Sequence, residues 1–380
     1  CENGPGSDRA GTMWSCDQAN TKSQLAKKAW ADHGQAEMSA EVIPLKRKEL
    51  EGSIEPMLSL TAHGMNQVNQ VILDRMQSEV PLIPALAGHL ISGGGKRLRP
   101  MLTLAGADLV GYSGTRHYKL AAAVEFIHTA TLLHDDVVDE SAERRGQASA
   151  NEIFGNKASV LVGDFLFTRA FELMVADGSL EVLRILSKAS ATIAEGEVMQ
   201  LNATSDLTTD EATYLEVIRG KTAVLFAAAC EVGAVVADQP TERIADLRNF
   251  GENLGMAFQL IDDVLDYSAD RRDWGKEIGD DFREGKMTLP VVLPIAAAEQ
   301  AKAQDEIDFW QRTIGDLDQQ DSDLDHAIDL MNRHQALAQT RERAEHFANA
   351  AIDDLAAFPD SHATRALMIN AVRASISRRY

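Results

Sequence analysis

Two copies of the pattern Asp-Asp-x-x-Asp stand out in this chain, at Asp135–Asp139 and at Asp262–Asp266. Both lie in apolar surroundings typical of a helix, on which residues four apart share a face. The outer aspartates of each copy therefore point the same way, and like charges at that spacing destabilise a helix. A cation between them removes the repulsion. Two such clusters facing each other would hold several hard divalent cations, and a diphosphate would complete the coordination.

The first aspartate helix carries further polar residues on the same stripe. Steps of three or four back from Asp135 reach Thr131 or Leu132 and then His128. A lone histidine in such a helix is more often a hydrogen-bonded core residue than a ligand. Two basic segments nearby, GGGKRLRP at 93–100 and RRG at 144–146, favour a functional role instead.

Both basic segments have the composition of an anion site. Lys96 and Arg99 lie about one helical turn apart and follow three glycines, whose backbone N–H groups can approach a phosphate. Arg144 and Arg145 follow the first aspartate motif, and guanidinium groups bind phosphate oxygens in bidentate fashion. Any one basic cluster is more commonly a solvated face. Basic clusters beside paired acidic motifs in a net-acidic chain favour phosphate binding.

The second aspartate motif has polar neighbours of its own. Gln259 precedes Asp262 by three residues and shares its helix face. Lys276 and Lys286 follow in a charged stretch punctuated by glycines, which resembles a lid that closes over a phosphate.

A third segment, Gly220-Lys221-Thr222, places a cation and a hydroxyl inside an otherwise apolar helix. A buried lysine is costly alone, so we expect an anionic partner beside Lys221. Together these parts suggest ionisation of an allylic diphosphate, in which metal ions act as Lewis acids and basic side chains add fixed positive charge. The allylic cation needs a dry cavity, where the Thr222 hydroxyl and the Gln259 carbonyl could shield it.

Composition narrows the class of protein. The chain has 380 residues with 37 Lys plus Arg against 58 Asp plus Glu, a formal charge of −21, which argues against nucleic acid as a partner. Cys1, Cys16 and Cys230 show no metal-ligand spacing, and Cys230 is expected to be a buried structural thiol. This cysteine usage predicts a reducing, cytoplasmic location. We find neither a signal-peptide pattern nor an apolar run long enough to span a membrane.

The chain beyond about Pro56 shows helical patterning almost throughout, so we predict an all-α fold: one large helical domain over 43–380 around a central cavity. Residues 1–42 are rich in small and polar residues and are interpreted as a disordered or non-native extension, with Met38 a candidate natural start. A capping box is predicted at Thr208 and Glu211, and a solvated acidic loop at Gly315–Asp325.

In order and spacing, these segments resemble the trans-prenyltransferase (isoprenyl diphosphate synthase) family from about Met57 to the C-terminus. A single DDxxD is a weak signal, but two copies with four basic segments are specific. The segments that carry the resemblance are GGGKRLRP, FIHTATLLHDDVVDE, RRG, GKT, FQLIDDVLD and GKEIGDDFREGKMTLP.

The resemblance implies a role for each matching residue. It assigns an isopentenyl diphosphate site to Lys96, Arg99, His128 and Arg145, and allylic diphosphate binding to Arg144, Lys221 and Lys276, with Lys286 a further substrate-binding candidate. Asp135, Asp139 and Asp262 match direct Mg²⁺ ligands, whereas Asp136, Asp263 and Asp266 would act through water or as supports. Lys221, Thr222 and Gln259 match the catalytic polar group. The family is expected to form homodimers and to ionise, condense and deprotonate, with the released diphosphate as base.

Product length depends on where the cavity ends. A bulky residue one turn below Asp135, about 5.4 Å away, would stop growth early, but Ala130 and Thr131 are both small. We therefore predict a long-chain product in the octaprenyl-to-decaprenyl range. The wider sequence, notably NKASVLVGDFLFTRAFELMV, resembles the bacterial quinone side-chain synthases. That resemblance supports the long chain and implies delivery to the membrane as a quinone (ubiquinone) side chain. The alternatives are a farnesyl or geranylgeranyl synthase, a terpene cyclase, and a non-catalytic subunit of a heteromeric synthase.

Overall fold

The computed structural model describes residues 53–92, 97–144, 147–268 and 278–377. These residues are almost entirely helical, which confirms the predicted all-α class. Within the described ranges, strand is confined to an antiparallel hairpin of Glu143–Arg144 (β1) and Gln147–Ala148 (β2), in register Glu143 to Ala148. The predicted extension at 1–42 lies outside the described residues.

Sixteen α-helices are described, with two π-helical turns and one 3-10 turn between them. In chain order they are α1 (Glu55–Arg75), α2 (Leu82–Ser92), α3 (Leu98–Leu109), α4 (Arg116–Val138), α5 (Ala150–Phe154), α6 (Asn156–Asp177), α7 (Leu180–Ala203), α8 (Glu211–Ile218), the first π turn (Arg219–Ala223), α9 (Val224–Val235), α10 (Thr241–Asp266), α11 (Asp280–Arg283), α12 (Leu289–Ala301), α13 (Gln304–Trp310), the second π turn (Gln311–Gly315), α14 (Asp323–Arg333), α15 (Ala336–Asp354), the 3-10 turn (Leu355–Ala357) and α16 (Ala363–Ile376).

The packing places the two aspartate helices at the centre. Helix α4 packs on α1, α3 and α6, while α10 packs on α9 and α15. Helix α9 connects the two aspartate helices, because it packs on α10 and also contacts α4, together with α3 and α7. Its buried face is apolar and small, with Ala228, Ala229 and Cys230 almost fully excluded from solvent, which allows helices to approach closely. Cys230 is a buried free thiol, as predicted.

The helix that carries Lys221 starts differently from the prediction. Its N-cap is Asp210, whose carboxylate accepts the backbone N–H of Thr213 at 2.8 Å, while Thr208 bonds to Asp206 instead. The predicted capping box at Thr208 and Glu211 is therefore wrong, because the aspartate directly before Glu211 is in position to take the cap. The helix is also interrupted by the first π turn, a feature that often marks functional sites.

The acidic segment predicted to be a solvated loop is only partly so. Asp323 is buried and begins α14, where its two carboxylate oxygens accept from the guanidinium of Arg312 at 2.8 and 2.9 Å. This bidentate pair ties the second π turn to α14 and removes one aspartate of the segment from the solvent. Among the described residues, none of the helices is both long and apolar enough to cross a bilayer.

A backbone contact sets the position of Lys221. A Cβ atom built on Gly196 of α7 would lie 2.6 Å from the backbone nitrogen of Lys221 and 2.8 Å from the carbonyl carbon of Gly220. Only glycine allows α7 and the first π turn to come this close. The contact brings Glu197, the next residue on α7, beside the lysine.

We expect Gly196→Ala to destabilise the protein by about 1–3 kcal/mol, since backbone atoms on both sides must move apart. Activity should fall further than stability accounts for, because Lys221 shifts with the π turn. Equilibrium unfolding in urea measures the first effect. Gly88→Ala on α2 is the control, since a Cβ there would meet nothing within 4 Å. Equal effects of the two substitutions would contradict the proposed contact.

Candidate active site

The first aspartate motif lies at the C-terminal end of α4. Asp135 and Asp139 are half-buried, whereas Asp136 is buried and its Oδ1 accepts from Nε of Arg144 at 2.6 Å. Burial raises the pKa of Asp135 to about 7, and Lys221 opposes that shift. Asp135 is therefore a carboxylate that gains from a nearby cation, as the repeated-aspartate pattern predicted.

The second aspartate motif ends α10. Asp263 and Asp266 are both buried, and the outer oxygen Oδ2 of Asp266 accepts the backbone N–H of Asp281 at 3.0 Å. The backbone carbonyl of Asp266 accepts from the N–H of Gly279 at 2.9 Å. These bonds fold the segment after residue 277 back onto the end of α10, so Asp281 joins the acidic cluster.

Lys286 connects the two motifs. Its ammonium lies 3.7 Å from Asp139 of the first motif, 3.9 Å from Asp281 beside the second, and in contact with Glu284. Burial acts to lower the pKa of Lys286, but Asp281, Asp139 and Glu284 together raise it well above its usual value. One charged lysine thus lies between Asp139 of the first motif and Asp281, whose backbone N–H bonds to Asp266 of the second.

Lys221 has the anionic partner that its burial required. Its ammonium donates to Oε2 of Glu197 at 2.8 Å, and both side chains are about one quarter exposed. The charges of Lys221 and Glu197 also act on Asp135, in opposite directions. The lysine therefore lies within electrostatic reach of the first motif, where it can bind an anion together with a metal.

A chain of hydrogen bonds runs from Thr222 to the second motif. The Thr222 hydroxyl donates to Oε1 of Gln259 at 2.9 Å, Nε2 of Gln259 donates to Oδ1 of Asp263 at 2.7 Å, and the buried Tyr214 hydroxyl donates to Oδ2 of Asp263 at 2.5 Å. Burial raises the pKa of Asp263 to about 7, with Asp281 adding to the shift and the two hydrogen bonds opposing it. The Gln259 carbonyl, expected to shield a cation, is occupied by the Thr222 hydroxyl.

These groups line one cavity of about 130 Å³. Its wall includes Lys221, Thr222, Gln259, Asp263, Asp281 and Lys286, together with the apolar side chains Val217, Ile218 and Met287. Fixed charge and apolar surface meet there, as needed to hold a diphosphate beside a hydrocarbon chain.

Arg99 on α3 and His128 on α4 form a second basic group. Arg99 on α3 donates from a guanidinium nitrogen to Nε2 of His128 on α4 at 3.0 Å, and its guanidinium lies 4.4 Å from the centre of the Phe226 ring. Arginine can only donate, so Nε2 of His128 accepts in this bond. The structure therefore brings together two residues, 29 positions apart, for which the family resemblance implies one anion site.

Of the remaining predicted residues, some lie outside the described ranges and others can be placed. Lys96, Arg145 and Lys276 lie outside the described residues. Thr131 is half-buried, and its hydroxyl donates to the backbone carbonyl of His128 at 2.8 Å, whereas Ala130 is 1% exposed within the core. The two chain-length positions thus have different surroundings, although they are neighbours in sequence.

Three residues of the site were missed by the sequence reasoning: Glu197, Tyr214 and Asp281. Glu197 gave one usable signal, since a buried lysine required an acidic partner somewhere. Tyr214 lies 49 positions from its partner Asp263, a distance at which helix periodicity predicts no contact. Asp281 stands in the glycine-punctuated stretch, whose pattern predicts only a lid.

The carboxylates of the two motifs are suitable ligands for hard divalent cations, but in the part of the chain that the structure describes they do not form a complete metal site by themselves. Carboxylates on facing helix ends are the ligands that Mg²⁺ prefers. Within the described ranges, however, no three His, Cys, Asp or Glu side chains converge closely enough to hold a metal by themselves. A metal ion bound here would take further ligands from water or from substrate oxygens, which agrees with the habit of Mg²⁺ of binding together with phosphates.

Sequence comparison identifies the family. The Polyprenyl synthetase family model matches residues 80–331. The octaprenyl diphosphate synthase of Escherichia coli is 46% identical over 316 residues, which cover 83% of this chain and 96% of that protein. The chain belongs to the polyprenyl synthetase family. The expected resemblance to prenyltransferases is thereby confirmed.

Solved structures of the polyprenyl synthetase family share the fold. A decaprenyl diphosphate synthase from Rhodobacter capsulatus is 50% identical, with a TM-score of 0.82 over 86% of this chain and all of that one. A polyprenyl synthase from Caulobacter crescentus, solved with calcium and isoprenyl diphosphate, is also 50% identical, with a TM-score of 0.82 over 89% of this chain and 100% of its own.

We expect Asp135→Asn to weaken binding of Mg²⁺ together with inorganic diphosphate by about tenfold or more, because one charged ligand is lost. Isothermal titration calorimetry with both components present measures the affinity. Asp321→Asn, at an exposed position before α14, is the charge-matched control. A similar loss in both variants would show that net charge, rather than the motif, governs binding.

Proposed function

We propose that this protein is a long-chain all-trans polyprenyl diphosphate synthase, a prenyltransferase that adds isopentenyl diphosphate repeatedly to an allylic diphosphate. The observation that carries the proposal is one partly apolar cavity lined by Asp263 of the second motif, Lys221 and Lys286. The ammonium of Lys286 also lies 3.7 Å from Asp139, which brings the first motif to the same place. Octaprenyl and decaprenyl synthases at 46% and 50% identity support the long-chain assignment.

The allylic diphosphate binds between the two aspartate motifs. Lys221 and Lys286 are already held at this position by Glu197 and by the acidic walls, so their charges need little rearrangement to meet phosphate oxygens. Arg144 is held by Asp136 at the same end of α4. Bound Mg²⁺, held by Asp135, Asp139 and Asp262, would supply the Lewis acidity that lowers the energy of the leaving diphosphate.

Isopentenyl diphosphate binds at Arg99 and His128. The Phe226 ring and the imidazole hold the guanidinium of Arg99 in place, which makes its donors available in a fixed geometry. Two anion sites on neighbouring helices bring the double bond of one substrate toward the allylic carbon of the other. The new carbon–carbon bond forms as the allylic carbon loses diphosphate, and the proton then lost from the adduct goes to the released diphosphate.

The cavity wall protects the intermediate charge from water. Thr222 presents oxygen rather than a strong nucleophile, and Val217 and Ile218 exclude solvent beside it. A long apolar product requires such a wall beyond the diphosphate as well. We further propose delivery of that product to a membrane, where it serves as a quinone side chain.

The decisive assay uses the purified chain alone with isopentenyl diphosphate, farnesyl diphosphate and Mg²⁺. We expect incorporation of isopentenyl units and, after dephosphorylation, a polyprenol in the octaprenyl-to-decaprenyl mass range. Reactions without isopentenyl diphosphate and with excess chelator are the controls, and both should yield no elongated product. Absence of incorporation by the homogeneous protein would contradict the proposal.

The same assay separates the alternatives. A terpene cyclase would release diphosphate from farnesyl diphosphate without isopentenyl diphosphate. A non-catalytic subunit would stay inactive until a second chain was added. A farnesyl or geranylgeranyl synthase would stop after few condensations. The Arg99–His128 pair favours a synthase over a cyclase, because a cyclase needs no second anion site.

Chain length is expected to depend on the residues one turn below Asp135. Thr131 lies on the half-exposed stripe that also contains His128 and Asp135, so a larger side chain there would project along the path of a growing chain. Ala130 is packed in the core beside it, and enlarging it would also narrow the space next to α4.

We predict that Thr131→Phe and Ala130→Phe each shorten the product by several isoprene units, since an aromatic ring replaces space used by the chain. Mass spectrometry of the dephosphorylated product measures the length. Lys119→Phe, at an exposed position near the start of the same helix, is the matched control. Unchanged product length in both variants would contradict the proposal that the positions one turn below Asp135 limit chain growth.

We also propose a homodimer formed through α6 and α7. Leu161 and Val175 on α6 and Leu201 on α7 are each more than three-fifths exposed, so these helices present apolar side chains to solvent. A self-complementary pairing of the two helices would cover them. Light scattering that gave a monomer mass at micromolar concentration would contradict this assignment.

A further inference from the structure

Tyr214 belongs to the cavity wall, and its hydroxyl forms one end of the hydrogen-bond chain. The side chain is 3% exposed on α8, and its hydroxyl donates to Oδ2 of Asp263 at 2.5 Å. The other carboxylate oxygen, Oδ1, accepts from Nε2 of Gln259 at 2.7 Å. Each oxygen of this buried carboxylate is therefore engaged by a protein donor, one from α8 and one from its own helix.

The direction of the chain follows from the chemistry of its members. Asp263 accepts from Nε2 of Gln259, so the NH₂ group of the amide faces Asp263 and its carbonyl oxygen faces the opposite side. That oxygen accepts the Thr222 hydroxyl at 2.9 Å. The hydroxyl has one proton, and donating it to Gln259 leaves its oxygen lone pairs for another partner. Thr222 and Gln259 both line the cavity, so an electron-rich oxygen borders it.

We propose that Tyr214 is a positioning residue for the condensation. By donating to Asp263 it fixes the orientation of the Gln259 amide and, through that amide, the Thr222 hydroxyl whose oxygen stabilises the ionised allylic substrate. This inference rests on the proposed function, since it assigns a role within that reaction. Although Tyr214 lines the same cavity, its hydroxyl proton is given to Asp263, so it acts through Asp263, Gln259 and Thr222 and is not a catalytic residue.

The contribution of the Tyr214 hydroxyl can be separated from that of its ring. Phenylalanine fills the same space in the core around Met256 and Leu260 but lacks the donor. One oxygen of Asp263 then loses its partner, so the carboxylate can rotate and the amide of Gln259 can turn over. When the transition state bears the loss, a buried acceptor left without a donor lowers the rate by roughly fivefold to 160-fold, which corresponds to about 1–3 kcal/mol.

The test is a double-mutant cycle on the full-length protein. We expect Tyr214→Phe to lower kcat about tenfold, with the KM for both diphosphates and the half-saturating Mg²⁺ concentration changed by less than about twofold. In a Thr222→Val background, which has no hydroxyl to orient, the same substitution should lower kcat by less than about twofold. In a Thr222→Ser background, which keeps the hydroxyl, the tenfold effect should return.

Controls distinguish this role from a structural one. Tyr118→Phe, on the distant half of α4 where the ring contacts His117, should leave kcat unchanged. Tyr214→Met, which removes the donor with a flexible apolar side chain, provides a second variant if phenylalanine packs poorly. Thermal unfolding of each variant reports folding separately from rate.

Several outcomes would overturn the inference. They are an unchanged kcat in Tyr214→Phe, an equal fall in kcat in the wild-type and Thr222→Val backgrounds, and a change confined to KM or to the Mg²⁺ requirement. A wild-type protein without any isopentenyl incorporation would instead refute the proposed function. The two failures are therefore distinguishable.

Discussion

The carboxylates of Asp135 and Asp263 are withdrawn from water near the ends of two apolar helices, and burial raises the pKa of each to about 7. Negative charge in such a place requires positive charge or hydrogen-bond donors within reach. Lys221 provides the positive charge beside Asp135, and Tyr214 and Gln259 provide the donors to Asp263. Lys286 balances Asp139 and Asp281 between the two motifs. The positions of α8, the first π turn and the segment after α11 are therefore tied to the same electrostatic requirement.

Close backbone packing makes this charge balance possible. Lys221 reaches Glu197 because α7 and the first π turn touch at Gly196, where any side chain would force them apart. Asp281 and Lys286 reach the acidic walls because backbone N–H groups after α10 bond to Asp266. Short-range contacts of the main chain thus decide which charged groups can meet. The apolar helices form a rigid frame. The close contact at Gly196 and the hydrogen bonds to Asp266 fix where the charged segments lie on that frame.

The sequence predicted the parts of this site that helix periodicity and composition encode. The two aspartate motifs, the all-α class and the need for an anion beside Lys221 follow from residues within a few turns of one another. Which acidic residue meets Lys221, and the roles of Tyr214 and Asp281, could not be predicted, because each depends on a contact between distant elements. The capping box failed for a local reason, since Asp210 lies directly before the helix and takes the N-cap position by accepting the N–H of Thr213. Lys96, Arg145 and Lys276 stay predictions.

The six motif aspartates do not have equal surroundings, and the difference bears on what each can do. Asp136 accepts from Arg144, Asp263 from Tyr214 and Gln259, and Asp266 from a backbone N–H. A carboxylate oxygen already held by a protein donor is a poorer ligand, because binding a metal must displace or share that bond. The same bonds fix the helix ends on which Asp135 and Asp262 stand. Each motif therefore combines residues that orient the wall with residues placed to contact what binds between the walls.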